Sequence, residues 1–403
     1  MKQRNIYWVL AVLLGTACTS TSDRFTIDSH IGGLKDGTVV CLMNLEREEH
    51  KGELMATDTV RNGAFQLKGT VASPTRCRVE IVLPRHYEDG TPYEAETATV
   101  MMVENVAMAI NAEHVDSLPL TWEYMHSPLE KEMNARVTGG RAQQEYTEYR
   151  AALHALELEA WQEGRRLMYW EYDTAKGVLG KQDSIACYKR RQAKAAAAVR
   201  QAMHEFVQHH PAYAISVELL RRDAARLFTY TPEELDAMAQ LASATYDTTR
   251  FARLKETIEA TKHHARGVPY RDFTLQDEQK TEKRLSDCLR SDVYTLMDFW
   301  ASWCGPCRAA IPHVKELHER YGDRLDVISV SVDKKESEWL GAVKVEKMPW
   351  RQFIVPVDKM KEATEGYQFS SIPTLVVIAP DGTIQCETNE ADEIDEFLSR
   401  NLN

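Results

Sequence analysis

The chain has 403 residues, a net charge of −12 and a hydrophobic fraction of 43%, values that predict two or three globular domains. Charges of both signs are mixed along the chain, and no basic tract occurs. These features exclude a nucleic acid as the expected partner, because binding to phosphates requires concentrated positive charge.

The N-terminus has the features of an export signal. Lys2 and Arg4 precede an apolar run, residues 6–17, that is too short to span a bilayer. The run ends in LGTAC, which resembles a bacterial lipoprotein signal, although the leucine lies four residues before Cys18 and not the usual three. The resemblance implies that residues 1–18 are a signal ending at Cys18, which is lipidated. A plain secretory signal is the alternative.

Export determines the redox environment of the protein. The expected location is the bacterial cell envelope, with the protein facing the periplasm and contacting the inner or outer membrane through its lipid. Outside the cytoplasm, the cytosolic glutathione and thioredoxin pools do not keep thiols reduced. A reactive cysteine pair in such a protein therefore needs a dedicated source of electrons.

Three regions follow in chain order. Residues 24–118 contain short β-rich runs and an Asn62-Gly63 hairpin signal, which predict an all-β, sandwich-like domain. Residues 128–265 predict an all-α domain, in which Thr231 and Glu234 form a capping box.

The last region, residues 268–403, alternates β and α patterns and predicts an α/β domain. Its strand over residues 293–299 leads to two cysteines at the start of a predicted helix. Further along, the spacing of Asp333 and Glu336 predicts a second capping box.

Cys304 and Cys307 lie in the sequence WASWCGPCRAAIP and allow three interpretations. A zinc site is disfavoured because five residues separate Cys307 from His313, against about 12 in a zinc finger. His318 would lie on a different helix face from His313. A purely structural disulfide is disfavoured because so short a loop restrains little of the unfolded chain. No metal and no other cofactor are therefore expected.

A reversible redox pair accounts for the surrounding residues. At the N-terminus of a helix, the unpaired N–H groups and the macrodipole favour the thiolate of Cys304, which is the attacking species. Cys307 lies one turn further and can resolve a mixed disulfide. Asp298, six residues before Cys304, is a candidate buried acid/base for the proton of the resolving thiol. A strand-end carboxylate with a local hydrogen bond is the alternative.

The sequence LMDFWASWCGPCR, followed by Pro312 and later by SIPT, closely resembles the thioredoxin fold, particularly the exported TlpA/ResA-type thioredoxins. The resemblance covers about residues 268–403 and implies that Pro312 kinks the first helix. It also implies a cis-proline loop at Ile372-Pro373, opposite the cysteines, whose backbone binds an extended substrate. The expected substrate-binding residues are Trp303, Gly305, Pro306, Ile372 and Pro373. One departure is Ala310, where the family often has glutamate.

A second resemblance covers the front of the chain. The sequences GGLKDGTVVCL, DTVRNGAFQLKG and SPTRCRVEI resemble a β-domain of unknown function that precedes many lipoprotein thioredoxins. This resemblance assigns no activity. The state of the remaining cysteines stays open, including a Cys41–Cys77 bond and a Cys288–Cys386 bond; the cysteines concerned are Cys41, Cys77, Cys187, Cys288 and Cys386.

These features favour an envelope-tethered thiol–disulfide oxidoreductase. The Gly-Pro dipeptide between the cysteines matches reducing thioredoxins, whose potential is about −270 mV, against about −120 mV for the oxidant DsbA. The expected partners are protein thiols and disulfides of the envelope, and a membrane electron donor of the DsbD/CcdA type. One alternative is a binding or scaffold lipoprotein with an accessory redox domain. Another is a peroxiredoxin-like peroxidase, which the second cysteine and Trp303 disfavour.

Overall fold

A computed structural model describes residues 23–46, 52–87, 89–121, 128–175, 182–367, 371–389 and 391–402. The predicted signal and Cys18 lie outside the described residues. The chain divides into two compact units. One comprises residues 1–209 and 213–215, and the other residues 210–212 and 216–403. The division falls within the segment for which the sequence predicts a separate helical domain.

The first unit is rich in β-structure. One sheet has the order β4-β1-β8-β9 and the other the order β3-β2-β5-β6, with β7 also pairing with β5. The strands are β1 Phe25–Ile31, β2 Val39–Asn44, β3 Glu53–Thr59, β4 Gln66–Gly69, β5 Thr75–His86, β6 Pro92–Glu96, β7 Thr99–Val103, β8 Ala107–Ala112 and β9 Arg136–Thr138.

Alternation of side chains along these strands builds a common apolar core. Phe25 and Ile27 of β1 are buried together with Val40 and Leu42 of β2, from the other sheet. Successive side chains of a strand point to opposite faces, so each sheet presents one apolar face to this core. The sheet-rich front region predicted from the sequence is confirmed.

The Asn62-Gly63 turn forms, but it does not join two paired strands. Asn62 has φ 52° and Gly63 has φ 73°, and the flanking Arg61 and Ala64 exchange backbone hydrogen bonds. Beyond this one pair, β3 pairs with β2, whereas β4 pairs with β1 of the other sheet. The turn is therefore a corner between the two sheets, and the predicted hairpin was wrong.

Three helices follow in the first unit: α1 Pro128–Glu132, α2 Arg141–Ala175 and α3 Gln182–His209. Strand β9 interrupts the predicted helical region and pairs antiparallel with β8. The guanidinium group of Arg150 is buried and forms ion pairs with Glu132 and Glu157. These pairs connect α1 to α2, because Glu132 is the last residue of α1.

Three further helices precede the α/β region: α4 Ala214–Ala224, α5 Pro232–Leu241 and α6 Thr248–Lys262. The predicted capping box at the start of α5 is confirmed. Glu234 N–H donates to Thr231 Oγ1 at 3.2 Å, and Thr231 N–H donates to Glu234 Oε2 at 2.8 Å. None of the helices described by the structure is both long enough and apolar enough to cross a membrane.

The C-terminal region has the predicted thioredoxin fold. Its sheet has the order β11-β10-β14-β13-β12-β15-β16, with β12, β13 and β14 parallel and β15 antiparallel to β12. The elements are β10 Thr274–Asp277, β11 Glu282–Arg284, β12 Tyr294–Trp300, α7 Gly305–Tyr321, β13 Leu325–Ser331, α8 Glu336–Glu346, β14 Arg351–Ile354, α9 Met360–Tyr367, β15 Thr374–Ile378, β16 Ile384–Thr388 and α10 Ala391–Asn401.

Two apolar clusters cover opposite faces of this sheet. Leu296 and Trp300 of β12 belong to the cluster that contains α7, whereas Met297 and Phe299 belong to the other. The central strand β12 is thus buried on both faces, as expected for a parallel strand between helical layers. Since the parallel strands all end at one edge of the sheet, the loop after β12 opens at that edge.

Candidate active site

The two cysteines form a disulfide at the start of α7. Their sulfur atoms are 2.05 Å apart, and their side chains are almost fully buried, at 5% exposure for Cys304 and 2% for Cys307. Cys304 is the N-cap of α7, and Cys307 N–H donates to Cys304 Sγ at 3.2 Å. The positive end of the helix dipole therefore lies at Cys304, where it stabilises a thiolate once the bond is reduced.

The loop before β15 lies opposite the disulfide. The Ile372–Pro373 peptide bond is cis, and the Ile372 carbonyl oxygen lies 3.6 Å from Cys304 Sγ. Thr374 Oγ1 donates to the carbonyl oxygen of Ser371 at 2.7 Å, and Asn389 Nδ2 donates to that of Pro373. These bonds fix the conformation of the loop that faces Cys304.

The predicted substrate-binding residues differ in exposure. Trp303, Gly305 and Pro306 are exposed around the disulfide, and the side chain of Trp303 is 67% exposed. Ile372 is half-buried, and Pro373 is buried. The exposed residues of this set therefore lie next to the disulfide in sequence, and the residues of the cis-proline loop are the less exposed ones.

Asp298 lies on β12 with its carboxyl group buried, at 4% exposure. Burial raises the pKa of Asp298 to about 7, and the hydrogen bond from Ser329 acts in the opposite direction. Ser329 Oγ donates to Asp298 Oδ2 at 3.0 Å. Asp298 therefore combines a buried carboxyl group with a raised pKa and a cross-strand hydrogen bond. Its role as an acid/base stays a prediction.

The two residues that link this carboxyl group to the surrounding core by hydrogen bonds were not predicted from the sequence. Ser329 lies directly across from Asp298 in the parallel register of β12 and β13. Trp350, in the loop before β14, donates from Nε1 to Ser329 Oγ at 2.9 Å. A serine within the apolar strand sequence LDVISVS was an available signal for Ser329. Trp350 carried no such signal, because it reaches the site only through the folded loop.

Asp333 has a different role from the predicted one. Helix α8 begins at Glu336 with Lys335 as its N-cap, so Asp333 caps nothing. Its carboxylate is fully buried and accepts from Ser302 N–H at 2.9 Å, Ser302 Oγ at 2.7 Å and Ser331 Oγ at 2.8 Å. The predicted capping box was wrong. Asp333 instead ties the turn that carries the first cysteine to the end of β13.

His313 and His318 both lie on α7 and are half-buried. The imidazole ring of His318 packs edge-on against Trp350, with ring centroids 5.6 Å apart. Across the residues that the structure describes, no group of three or more His, Cys, Asp or Glu side chains could hold a metal ion.

The remaining described cysteines are thiols. Cys41 and Cys77 lie on opposite faces of one sheet, since Cys77 is buried beside the inward-facing residues of β5 and Cys41 alternates with the buried residues of β2. Cys288 and Cys386 pack on opposite faces of the C-terminal sheet, which contains β10 to β16. Neither of the disulfides left open by the sequence is present. Burial raises the pKa of Cys288, and it raises that of Cys386 to about 12.

Comparisons with known proteins agree with this geometry. Residues 292–384 match the family model described as thioredoxin-like. The chain is 27% identical over 143 residues to the thiol-disulfide oxidoreductase ResA of Oceanobacillus iheyensis, a stretch covering 34% of this chain and 70% of that protein. It is 33% identical over 97 residues to the thioredoxin of Borreliella burgdorferi, covering 24% of this chain and 80% of that one. Matches to the curated relatives span from 45% to 80% of their lengths.

Among solved structures, the thioredoxin domain of a thiol-disulfide oxidoreductase from Bacteroides vulgatus matches with 25% identity and a TM-score of 0.33. The match covers 34% of this chain and 99% of that one.

The sheet topology, the disulfide at the helix start and the matched relatives define the class of protein: a thioredoxin-like thiol–disulfide oxidoreductase. The chain belongs to the thioredoxin-like family.

Proposed function

We propose that this protein is an envelope-tethered reductant of protein disulfides, in which Cys304 attacks, Cys307 resolves and Asp298 moves the proton. The observation that carries the proposal is the position of Cys304. Its sulfur lies at the N-terminus of α7, in a disulfide with Cys307 and 3.6 Å from the carbonyl oxygen of Ile372. One sulfur is thus placed between an activating helix end and a loop that can align a peptide.

The first step starts from the reduced enzyme. The Cys304 thiolate attacks one sulfur of a substrate disulfide, the substrate S–S bond breaks, and the departing substrate sulfur leaves as a thiolate that takes a proton from solvent. The substrate is then joined to Cys304 as a mixed disulfide. The Ile372–Pro373 loop and Trp303 supply the surface on which the substrate lies.

The second step releases the substrate. Cys307 gives its proton to the Asp298 carboxylate and attacks Cys304 Sγ, and the second substrate sulfur leaves as a thiolate. The enzyme ends with the Cys304–Cys307 disulfide, and the substrate has gained two electrons. A carboxyl group with a pKa of about 7 suits this transfer, because it can accept and release a proton near neutral pH.

The Gly305-Pro306 dipeptide, which resembles that of reducing thioredoxins, supports the proposed direction of electron flow. The disulfide left by each turnover must be reduced again outside the cytoplasm, where the cytosolic thiol pools do not act. We therefore assign the protein a membrane electron donor of the DsbD/CcdA type. Lipidated Cys18 would keep the protein at the membrane, facing the periplasm, close to that donor.

The reduction potential tests the assigned direction. The full-length chain is equilibrated with buffers of defined thiol–disulfide ratio, and the fraction of Cys304–Cys307 disulfide is measured by mass spectrometry after acid quenching. A reductant gives a potential near the thioredoxin value of about −270 mV. A potential near about −120 mV would overturn the reductant assignment. The Cys304→Ser variant provides the control for signal from the other cysteines.

A further inference from the structure

Three buried side chains form a row of hydrogen bonds that ends at the candidate acid/base. The indole Nε1 of Trp350 donates to Ser329 Oγ at 2.9 Å, and Ser329 Oγ donates to Asp298 Oδ2 at 3.0 Å. Ser329 is fully buried, and Trp350 and Asp298 are nearly so. Within the described residues, Ser329 supplies the one side-chain hydrogen bond to Asp298.

The chemistry of the indole determines which groups donate and which accept in these hydrogen bonds. An indole N–H can only donate, whereas a hydroxyl group has one proton and two lone pairs. The Trp350 N–H therefore occupies one lone pair of Ser329 Oγ. The indole ring offers no acceptor for the hydroxyl proton of Ser329. The proton is left to point at the Asp298 carboxylate, and the second lone pair remains available.

The hydroxyl group of Ser329 can also form a hydrogen bond with the protonated form of Asp298. When Asp298 takes up a proton, its new O–H group can donate to the remaining lone pair of Ser329 Oγ. The hydroxyl proton of Ser329 must then turn away, and the sulfur of Met348, 4.0 Å from Ser329 Oγ, is a weak acceptor on another side. One rotation of one hydroxyl group thus satisfies both protonation states.

We propose that Ser329, oriented by Trp350, is the positioning residue that allows Asp298 to exchange a proton inside the core. This proposal rests on the proposed function, in which Asp298 serves Cys307. In the ionised state the serine donates to the carboxylate, and in the neutral state it accepts from the acid. Neither state requires a strand to move or water to enter.

Other titratable groups near this row act less directly. The ring of His318 packs edge-on against that of Trp350, with centroids 5.6 Å apart. The remaining groups have no hydrogen bond or ion pair with Asp298 in the described part of the chain. They are Cys304 and Cys307 of α7, Asp326 of β13, Arg351 of β14, and Cys386 and Glu387 of β16.

The first test follows the titration of Asp298 itself. The full-length oxidised protein is labelled with carboxyl-¹³C aspartate, and the Asp298 resonance is identified by its absence from Asp298→Asn. Removing a hydrogen bond to a buried charged group weakens the ionised form, so Ser329→Ala is expected to increase the proton affinity of Asp298 about tenfold. Ser329→Thr keeps the hydroxyl group and is expected to restore the wild-type midpoint.

Trp350→Phe keeps an aromatic ring against His318 but removes the indole donor, so it provides an independent variant. Its expected effect has the same direction and is smaller, about threefold in proton affinity. Midpoints of Ser329→Ala and Trp350→Phe that both equal the wild-type value would overturn the proposal. So would a Ser329→Thr protein that titrates like Ser329→Ala.

A kinetic readout separates this proposal from the proposed function. A model peptide thiol is attached to Cys304 as a mixed disulfide, and its release by Cys307 is followed against pH in a single turnover. The pH profile for Ser329→Ala is expected to move upward together with the Asp298 midpoint. If the Asp298 midpoint shifts in Ser329→Ala but the pH profile of peptide release does not, Asp298 does not serve Cys307 and the proposed function is overturned in this part. The shift of the midpoint would still support the inference that Ser329 controls the titration of Asp298.

Discussion

The buried carboxylate of Asp333 accepts hydrogen bonds from both the backbone N–H and the hydroxyl group of Ser302, at 2.9 and 2.7 Å. Ser302 precedes Cys304 by two residues, so these bonds fix the turn that leads into Cys304. A third bond from Ser331 holds the same carboxylate to the end of β13. Part of the active-site geometry therefore depends on a residue outside the cysteine motif.

Replacing Asp333 by alanine is expected to destabilise the protein by about 2–4 kcal/mol, because two donors of the half-buried Ser302 and one of the buried Ser331 lose their acceptor. Urea unfolding of the oxidised protein measures the effect. Asp381→Ala is a matched control, since Asp381 accepts from the N–H and the hydroxyl group of Thr383 in the same way but lies exposed. Water can replace those bonds, so its cost should stay below about 1 kcal/mol. Equal losses in the two variants would contradict the role given to Asp333.

The case of Asp333 also shows what the sequence could predict. The strand–CxxC–helix order and the apolar strands are local patterns, and they predicted an α/β region with a redox pair at Cys304 and Cys307. The thioredoxin fold was predicted from the resemblance of this stretch to a known family. Asp333 followed by Glu336 is also a local pattern, but its meaning depends on whether the donors of Ser302 lie nearby. Their proximity is set by the pairing of β12 with β13, which no local pattern reveals.

The same limit applies to the turn at Asn62-Gly63 and to Trp350. The turn residues favour positive φ wherever they occur, so the turn was predictable, but the sheets that β3 and β4 join are determined by distant partners. Trp350 reaches Ser329 from 21 residues away. Patterns of short range therefore predicted that Cys304 and Cys307 are paired, but not the hydrogen bonds that Trp350 and Asp333 make nearby.

Asp298 is expected to make stability depend on pH. Burial raises its pKa to about 7, above the value of about 3.9 in an unfolded chain. The folded state therefore binds this proton more strongly, and the resulting stabilisation is complete below about pH 4 and is lost as the pH rises through about 7. Across this window, the free energy of unfolding of the oxidised wild type should fall relative to Asp298→Asn by up to a few kcal/mol.

Urea unfolding at several pH values between about 4 and 8 measures this difference. Asp381→Asn, at an exposed position, serves as the reference for the ordinary effect of replacing an aspartate. If wild type and Asp298→Asn lost stability in parallel over the whole range, the carboxyl group would not titrate as described.

Trp303 is expected to contribute to substrate binding and little to folding. Because its side chain is 67% exposed, Trp303→Ala should change the free energy of unfolding by no more than about 0.5 kcal/mol. The loss of the indole surface should weaken binding of a protein disulfide, and so raise KM with less effect on a small disulfide reagent. Steady-state reduction of both substrates provides the comparison.

Trp300→Ala is the matched control for this variant. Trp300 is three residues earlier and fully buried, so its truncation should cost about 3–5 kcal/mol of stability. A Trp303→Ala enzyme with unchanged KM for protein disulfides would remove Trp303 from the substrate-binding surface.

The cysteines outside the redox pair should differ widely in reactivity. Cys187 is exposed, whereas Cys77 and Cys288 are buried. Burial raises the pKa of Cys288, and it raises that of Cys386 to about 12. Since the thiolate is the reactive form, iodoacetamide should modify Cys187 in the native oxidised protein at least about tenfold faster than the other three.

Peptide mass spectrometry during a time course of alkylation gives the individual rates, and the same reaction in denaturant gives the control in which all these thiols react alike. Rapid native modification would conflict with the buried position of Cys288, and with the raised pKa of the half-buried Cys386.

The most direct test of the redox assignment is to trap its intermediate. Cys307→Ser, expressed as the full-length chain with residues 1–18 in a bacterial envelope, lacks the thiol to which the proposed function assigns resolution of the mixed disulfide. We predict that envelope proteins accumulate joined through Cys304, that mass spectrometry identifies them, and that a Cys304→Ser control lacks them. A folded, exported Cys307→Ser protein that forms no such adducts would contradict the assignment of Cys304 as the attacking thiol.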